Sequence, residues 1–318
     1  MARLEAELWP WFVFGVVVAT LLGADLLLFH RRAEKLSVRQ SALWAALFVS
    51  AGLLFSLFVG YTRGHEAAFA YLTAYLIEES LSVDNLFVFL ALFTYFGVAR
   101  EYQHRVLFWG IMGAIVMRGV FIVSGVALLN RFHWLVYILG AILVATGAKL
   151  GLGGGEEVHP DRNVLVRWAS RVLPIVRTYH GQQFVVRVEE GWRFTPLALV
   201  LIAIESTDLM FAVDSVPAVL AVSRDVFVVY SSNIFAVIGL RALYSFLADA
   251  IGSLRFLKPA LALVLVLIGA KMLVSEAVEI PTLASLAAVG TILLVATLAS
   301  LLYPAGKAKG RSGGEAAE

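Results

Sequence analysis

Cysteine is missing from this chain of 318 residues. Its absence excludes disulfides, thiolate catalysis and every metal site that needs a thiolate ligand. Charged residues are scarce as well, at 15% of the chain, while 60% of the residues are hydrophobic and the mean hydropathy is +0.86. These values lie outside the usual composition of a soluble domain, and they predict an all-α, polytopic membrane protein.

The chain also lacks a strong charge of either sign, because its formal net charge is only +2. Most lysine and arginine residues lie next to apolar segments, where they indicate membrane topology rather than a nucleic-acid surface. No HExxH or GxGD motif is present, and the six histidines fall in loops or at the ends of apolar segments. We therefore expect no enzymatic activity, no bound cofactor and no nucleic-acid partner.

Nine apolar segments reach or approach the roughly 20 residues that a membrane-spanning helix needs. They lie at about 8–29, 42–61, 67–97, 106–129, 132–150, 196–222, 226–248, 259–276 and 282–303. With the N-terminus outside, seventeen lysine and arginine residues fall in inner loops and four in outer loops. This bias follows the positive-inside rule, and it predicts about nine transmembrane helices with the C-terminus in the cytoplasm.

Three short motifs recur in the same order along the chain. LSVDNLFVFL (81–90) resembles FAVDSVPAVL (211–220), GIMGAIVMRG (110–119) resembles NIFAVIGLRA (233–242), and TGAKL (146–150) resembles IGAKM (268–272). Each repeating unit holds three spans, and an odd number of spans inverts the second unit relative to the first. Two inverted three-helix repeats are typical of transporters.

The predicted organisation has six parts. Two N-terminal helices (1–65) precede the first three-helix repeat (66–150), and a cytoplasmic loop (151–194) follows with an interfacial helix and a small hairpin. The second, inverted repeat covers 195–278, a ninth helix covers 279–304, and a disordered tail covers 305–318. The basic loop 151–194 is also a candidate docking surface for a membrane partner.

Carboxylates lie inside these apolar segments, where a charged group costs roughly 2.5 to 3.5 kcal/mol. They are Glu78, Glu79 and Asp84 in the third segment, and Glu205, Asp208 and Asp214 in its repeat counterpart. Four basic residues also fall within apolar segments: Arg118, Lys149, Arg241 and Lys271. The acids outnumber the bases by about two charges, which a bound divalent cation would neutralise. Protonation of one or two carboxylates would have the same effect.

The donor atoms of such a site would be oxygens, since no histidine lies nearby. Asn85, Ser215 and Asn233 add neutral oxygens to the carboxylates, and an all-oxygen site suits Mn²⁺, Mg²⁺ or Ca²⁺ better than zinc or copper. Asp214 lies six residues beyond Asp208, so one ion could reach both only if the helix broke. A kink or an unwound turn at 213–216 is predicted before Pro217.

The strings EESLSVDNLFVF, ESTDLMFAVDSVPA and SSNIFAVIGLRALY resemble the TerC/Alx family of integral membrane proteins, within the lysine-exporter-like transporters. The resemblance runs from about residue 40 to 303. It implies a bacterial inner-membrane exporter of metal ions, chiefly Mn²⁺, with an association with tellurite resistance. The acidic positions that it implies are Glu78, Asp84, Glu205, Asp208 and Asp214.

The resulting prediction is a proton-coupled Mn²⁺ exporter that binds its ion between the third and sixth spans; Ca²⁺ and Mg²⁺ are alternative ions. Asp84, Asp208 and Asp214 are the predicted ligands, and Glu78 and Glu205 complete the shell or carry the exchanged proton. Asn85, Ser215, Asn233 and Glu79 are supporting polar residues, while Arg118, Arg241, Lys149 and Lys271 balance charge. Asp25 is expected to pair with the neighbouring bases of the sequence HRR (30–32).

Two other functions are compatible with the sequence. A membrane scaffold or assembly factor would use the loop 151–194 for docking and the buried acids as structural ion pairs. An exporter of a basic amino acid would use the acidic pocket to bind lysine or arginine. The sequence does not fix ion selectivity, coupling ratio or oligomeric state.

Overall fold

The computed structural model describes residues 2–30, 38–132, 134–152, 164–176, 178–189, 191–250, 256–274 and 280–302. These residues are mostly helical. The helices are α1 (Ala2–His30), α2 (Val38–Arg63), α3 (His65–Tyr95), α4 (Arg100–Arg131), α5 (Leu135–Gly151), α6 (Val164–Val172), α7 (Pro196–Leu220), α8 (Val226–Ala250), α9 (Leu257–Leu273) and α10 (Thr282–Leu302). The strands β1 (Val185–Val188) and β2 (Gly191–Phe194) pair antiparallel.

Six of the described helices are long and apolar enough to cross a membrane, namely α1, α2, α4, α7, α8 and α10. Helices α5 and α9 are apolar but have only 17 residues each. Helix α3 has 31 residues, but Glu78, Glu79 and Asp84 interrupt its apolar sequence. The chain is therefore a polytopic membrane protein, as predicted, while the crossing of the bilayer by α3, α5 and α9 stays a prediction.

Each of the nine apolar segments falls on one of these helices, from α1 to α5 and from α7 to α10. Several helices are longer than the apolar run that predicts them, since α2 begins at Val38 and α4 at Arg100. Backbone hydrogen bonding continues into polar flanks that hydropathy leaves out. Between α5 and α7, the described residues form α6 and the β1–β2 hairpin.

Helix α8 is the most enclosed of the six long apolar helices. In its apolar stretch 83% of the residues are buried, against 17% in α1 and 33% in α2. Phe235 of α8 packs on Phe55 of α2 with ring centroids 4.6 Å apart. Because α8 also carries Asn233 and Arg241, the enclosure places both polar side chains inside the bundle, at 0% and 2% exposure.

Helices α5 and α9 cross closely at residues without large side chains. A Cβ atom on Gly140 would lie 3.0 Å from the carbonyl oxygen of Gly269, and one on Gly147 would lie 2.7 Å from the carbonyl oxygen of Ala262. The order of these contacts shows that the two helices run antiparallel. Small residues let helix backbones approach in this way inside a membrane.

The unwound turn predicted as one alternative at 213–216 is wrong, because α7 runs without interruption from Pro196 to Leu220. Pro217 gives up one amide donor, but its own carbonyl accepts a hydrogen bond from the amide of Ala221 at 3.0 Å. The residues that follow Pro217 are buried in the core, so their packing holds the last turn in register. Asp214 therefore lies on a regular helix.

Candidate functional site

Arg118 of α4 forms a buried polar network with three other helices. Its Nη1 atom donates to Oε2 of Glu78 at 2.8 Å and to Oδ1 of Asn233 at 3.0 Å. Its Nη2 and Nε atoms donate to Oδ1 and Oδ2 of Asp208 at 3.0 and 3.2 Å, a two-pronged contact. This Arg118 network therefore joins α3, α4, α7 and α8 at one point.

The Arg118 network holds one positive and two negative charges away from solvent. Arg118 is 0% exposed, Glu78 1% and Asp208 3%. Oε1 of Glu78 and Nδ2 of Asn233 have no hydrogen-bond partner among the described residues. The network thus keeps an excess of negative charge and unused polar atoms, although Arg118 donates to each of the other three residues.

The two acids of the network occupy equivalent positions in the sequence repeats. The alignment of 81–90 with 211–220 has a spacing of 130 residues, and extending it by three residues places Glu78 opposite Asp208. The sequence prediction grouped Glu78 with Glu205 instead. The repeat spacing was the signal that could have identified the pair.

Asp208 also lines a narrow crevice with apolar walls. The crevice brings together Phe89 of α3, Leu107 of α4, Ile204 of α7 and Leu240 of α8. In the direction from the Arg118 network to this crevice, residue numbers increase along α3 and α8 and decrease along α4 and α7. Helices α3 and α7 therefore run antiparallel, and the crevice extends from Asp208 toward the end of the bundle where α4 and α7 begin.

Asp84 and Asp214 lie on helices α3 and α7, but their side chains are outside the described residues. Position 84 is six residues beyond Glu78 on the crevice side, and position 214 is six residues beyond Asp208 on the opposite side. At 1.5 Å per residue, each position lies about 9 Å from the level of the Arg118 network. The two aspartates thus flank the network along the bundle, so the single site predicted to join both with Asp208 does not fit this backbone.

Glu205 lies one turn before Asp208 and is half-buried. Its carboxylate fills the space beside Gly113 of α4, where a Cβ atom would overlap all three carboxyl atoms. Gly113 is therefore required for the carboxylate to lie between α4 and α7. Glu205 and Asp208 therefore lie on the same side of α7, the side that faces α4.

The described side chains do not form a ready-made metal site, because no three acidic or histidine residues in them group together. Asn85 and Ser215 are buried, as 3% and 2% exposure show, and Oγ of Ser215 has no hydrogen-bond partner among the described residues. Glu79 faces Gly239 of α8, so it lies apart from the bonds of the Arg118 network.

The two lysines predicted to balance the acids lie at the ends of their helices. Nζ of Lys271, in the last turn of α9, donates to Oγ of Ser285 on α10 at 2.7 Å. Lys149 is exposed in the last turn of α5. Among the four residues predicted to balance charge, Arg118 contacts the predicted acids Glu78 and Asp208 in the described part of the chain.

Arg241, the repeat counterpart of Arg118, pairs with Asp25 of α1. Its Nη1 atom lies 3.1 Å from Oδ2 of Asp25, and its Nη2 atom donates to the backbone oxygen of Asp25 at 3.1 Å. The HRR bases with which Asp25 was predicted to pair have side chains outside the described residues. Asp25 is 2% exposed, so its position on the buried face of α1 directs it to a buried cation on α8.

The segment before α7 forms a compact polar unit. The amide of Val176 donates to the carbonyl of Phe194, and the amide of Phe194 donates to the carbonyl of Pro174, both at 2.9 Å. The hydroxyl of Tyr179 donates to the carbonyl of Phe96 at 2.7 Å, and burial raises the pKa of Tyr179. Trp168 and Trp192 are 60% and 69% exposed on this unit, as side chains at a membrane interface would be.

Comparison with known proteins gives a consistent group of relatives. The family described as "Integral membrane protein TerC family" matches residues 63–308. An "Uncharacterized membrane protein STKORF319" of Myxococcus xanthus is 42% identical over 293 residues, which cover 92% of each chain. The "Putative membrane-bound redox modulator Alx" of Escherichia coli is 44% identical over 294 residues, covering 90% of this chain and 92% of the relative. No solved structure matches the chain.

Proposed function

The chain belongs to the TerC family of integral membrane proteins, and we propose that it exports a divalent cation, chiefly Mn²⁺, across the bacterial inner membrane in exchange for protons. The observation that carries the proposal is the meeting of Glu78 and Asp208, from different helices, at one buried point with Arg118 between them. Two buried carboxylates that share one guanidinium leave negative charge that a cation would neutralise. Ionisable residues inside a membrane bundle most often mark an ion pathway.

The helix contacts support an organisation of nine spans with two inverted repeats. Helix α3 packs on α8, and their counterparts α7 and α4 pack on each other. The spacing between TGAKL and IGAKM is 122 residues, and the same shift turns the Gly140–Gly269 contact into the Ala262–Gly147 contact. A two-fold relation that exchanges the repeats would produce both pairs of contacts. We therefore place the cation path between the repeats, as in other inverted-repeat transporters.

The proposed cation path has a central binding site and two flanking positions. Glu78 and Asp208 form the central binding site, with Asn233 as a neutral oxygen donor, and Glu205 lies one turn before Asp208 on α7. Asp84 serves the path on the crevice side, and Asp214 serves it on the opposite side. Asn85 and Ser215 adjoin these flanking aspartates in the sequence and are equivalent in the repeats.

The chemistry of the donors selects the class of substrate. Carboxylate and amide oxygens suit Mn²⁺, Mg²⁺ and Ca²⁺, and the resemblance described above favours Mn²⁺ among them. A carboxylate that releases a metal can do so by taking up a proton, since the two compete for the same oxygens. Proton entry would therefore drive cation exit, with the C-terminus and the unit formed by α6 and the hairpin on the cytoplasmic side.

Export of a basic amino acid is the second candidate, and the Arg118 network favours it over other organic substrates. Glu78, Asp208 and Asn233 already bind a guanidinium group, that of the protein itself. A substrate arginine side chain presents the same group. A scaffold role is a third candidate, since exposed Trp168 and Trp192 offer a surface for a membrane partner.

A thiol-based redox role would have no cysteine to use in this chain. Transport therefore accounts for more of the buried polar residues than electron transfer between thiols does. We accordingly assign transport rather than catalysis to the Arg118 network.

The test is a flux measurement on purified protein in proteoliposomes. External Mn²⁺ is added, and internal dyes report Mn²⁺ and pH; the assay is repeated with Mg²⁺, Ca²⁺, lysine and arginine. Protein-dependent Mn²⁺ flux with opposite proton movement is the expected result. Flux of arginine or lysine without Mn²⁺ flux would establish the second candidate, and background flux of all five in folded protein would overturn the transport proposal.

A further inference from the structure

The guanidinium of Arg118 lies where a transported cation would have to bind. It contacts four oxygen atoms: Oε2 of Glu78, Oδ1 and Oδ2 of Asp208, and Oδ1 of Asn233. These oxygen atoms belong to three helices other than α4, namely α3, α7 and α8. Hard divalent cations take the same kind of oxygen ligands, so guanidinium and metal ion would compete for one set of donors.

The two repeat-related arginines differ in their charge balance. Arg241 pairs with the carboxylate of Asp25. Arg118 faces two carboxylates, and Oε1 of Glu78 is left without a hydrogen-bond partner among the described residues. Arg241 therefore fits a structural ion pair, whereas Arg118 leaves its site short of positive charge.

The apolar crevice gives access to the Arg118 network at Asp208. A cation that arrives through the crevice would meet Asp208 first, on which Arg118 makes its two-pronged contact. The arginine must release Asp208 before the cation can take both carboxylate oxygens.

We propose that Arg118 is an internal substitute for the transported cation, which occupies the Glu78–Asp208 site when no ion is bound and withdraws when a divalent cation enters. This inference rests on the proposed export function. The substitute keeps the two buried carboxylates paired in the empty carrier. It also selects for charge: a divalent ion in place of the arginine neutralises both acids, whereas a monovalent ion gains nothing over the arginine.

A tethered competitor lowers the apparent affinity of the site for the cation. The apparent affinity equals the intrinsic affinity multiplied by the fraction of time during which the competitor is withdrawn. Removing its charge should therefore tighten Mn²⁺ binding and slow ion release. We expect Arg118→Met to bind Mn²⁺ at least about tenfold more tightly than the wild type and to transport it at least about tenfold more slowly. Arg118→Lys keeps the charge but loses the two-pronged contact, so its affinity should fall between the two.

The experiment measures Mn²⁺ affinity of the purified full-length protein by calorimetry and Mn²⁺ flux in proteoliposomes. The variants are Arg118→Met, Arg118→Lys and the matched control Arg241→Met, which should leave the Mn²⁺ affinity within about twofold of the wild type. A folded Arg118→Met that binds Mn²⁺ no more tightly than the wild type would overturn the inference and leave the export function standing. If Arg118→Met does not fold, the Mn²⁺ affinity of Arg118→Lys provides the same test: an affinity no higher than that of the wild type would overturn the inference. Absence of Mn²⁺ binding and flux in the folded wild type would overturn the export function and this inference with it.

Discussion

Glu78 and Asp208 lie on antiparallel helices, 130 residues apart in the chain, and both accept hydrogen bonds from the guanidinium of Arg118. They are also equivalent positions of the two sequence repeats. A pair of equivalent acids that meets at one point is expected near the axis that would relate the repeats. The single arginine between them breaks that symmetry, because its counterpart Arg241 turns away to Asp25 on α1.

Asp208→Asn should abolish Mn²⁺ flux. The substitution keeps the shape of the side chain but removes the charge that binds the cation, so flux should fall to the background of empty liposomes. Asp225→Asn is the matched control, since Asp225 also pairs with an arginine, Arg63, at 2.6 Å, but both side chains are about one third exposed. Surface pairs of this kind contribute little. An asparagine at 225 can still accept the hydrogen bonds that the amides of Phe227 and Val228 donate to Oδ1 of Asp225. Equal loss of flux in both variants would indicate a general defect rather than a site at Asp208.

Gly113→Ala should impair transport through Glu205. The new methyl group would occupy the space that the Glu205 carboxylate fills, and a displaced catalytic or binding group commonly lowers a rate by on the order of tenfold to a hundredfold. Gly290→Ala is the control, because a Cβ atom there meets nothing within 4 Å. If the effect acts through Glu205, the double variant Gly113→Ala/Glu205→Gln should transport no more slowly than Glu205→Gln alone. A slower double variant, or wild-type flux in Gly113→Ala, would contradict the assignment.

Much of the fold could be predicted because apolar runs are local features. A run of about 20 apolar residues predicts a helix without reference to the rest of the chain, and the described helices fall where those runs lie. The same reasoning placed Arg118 among the acids. It could not choose between Glu78, Asp208 and Glu205 as the partners of Arg118, since that choice depends on how far each helix is rotated about its axis.

Sequence reasoning missed contacts between distant segments. The pairing of Asp25 with Arg241 depends on how α1 packs on α8, and no pattern within either helix specifies it. Pro217 was expected to break α7, since a proline in a helix interior removes a hydrogen bond. The buried residues around Pro217 outweigh that loss, and local propensity often yields to tertiary packing in this way.

The absence of cysteine makes the orientation of the chain directly testable. Single cysteines at Arg131, at the end of α4, and at Ser170, in α6, would both be exposed, and no native thiol would compete for the label. A membrane-impermeant maleimide added to intact cells should label Arg131→Cys and not Ser170→Cys. Both should react after the cells are broken open, which controls for accessibility. Labelling of Ser170→Cys alone in intact cells would invert the proposed topology, and labelling of both would contradict the span assignment between them.

The Asp25–Arg241 pair should stabilise the fold without contributing to ion binding. Both side chains are buried, and removing one partner of a buried ion pair typically costs about 3 to 5 kcal/mol because the other charge is left unpaired. Thermal unfolding in detergent should therefore show a large loss of stability in Asp25→Asn and in Arg241→Met, and a smaller loss in the double variant than in the sum of the two. Mn²⁺ affinity should stay near the wild-type value in every variant that folds. Additive losses would show that the two side chains do not act as a pair, and a changed Mn²⁺ affinity would place Arg241 in the cation path with Arg118.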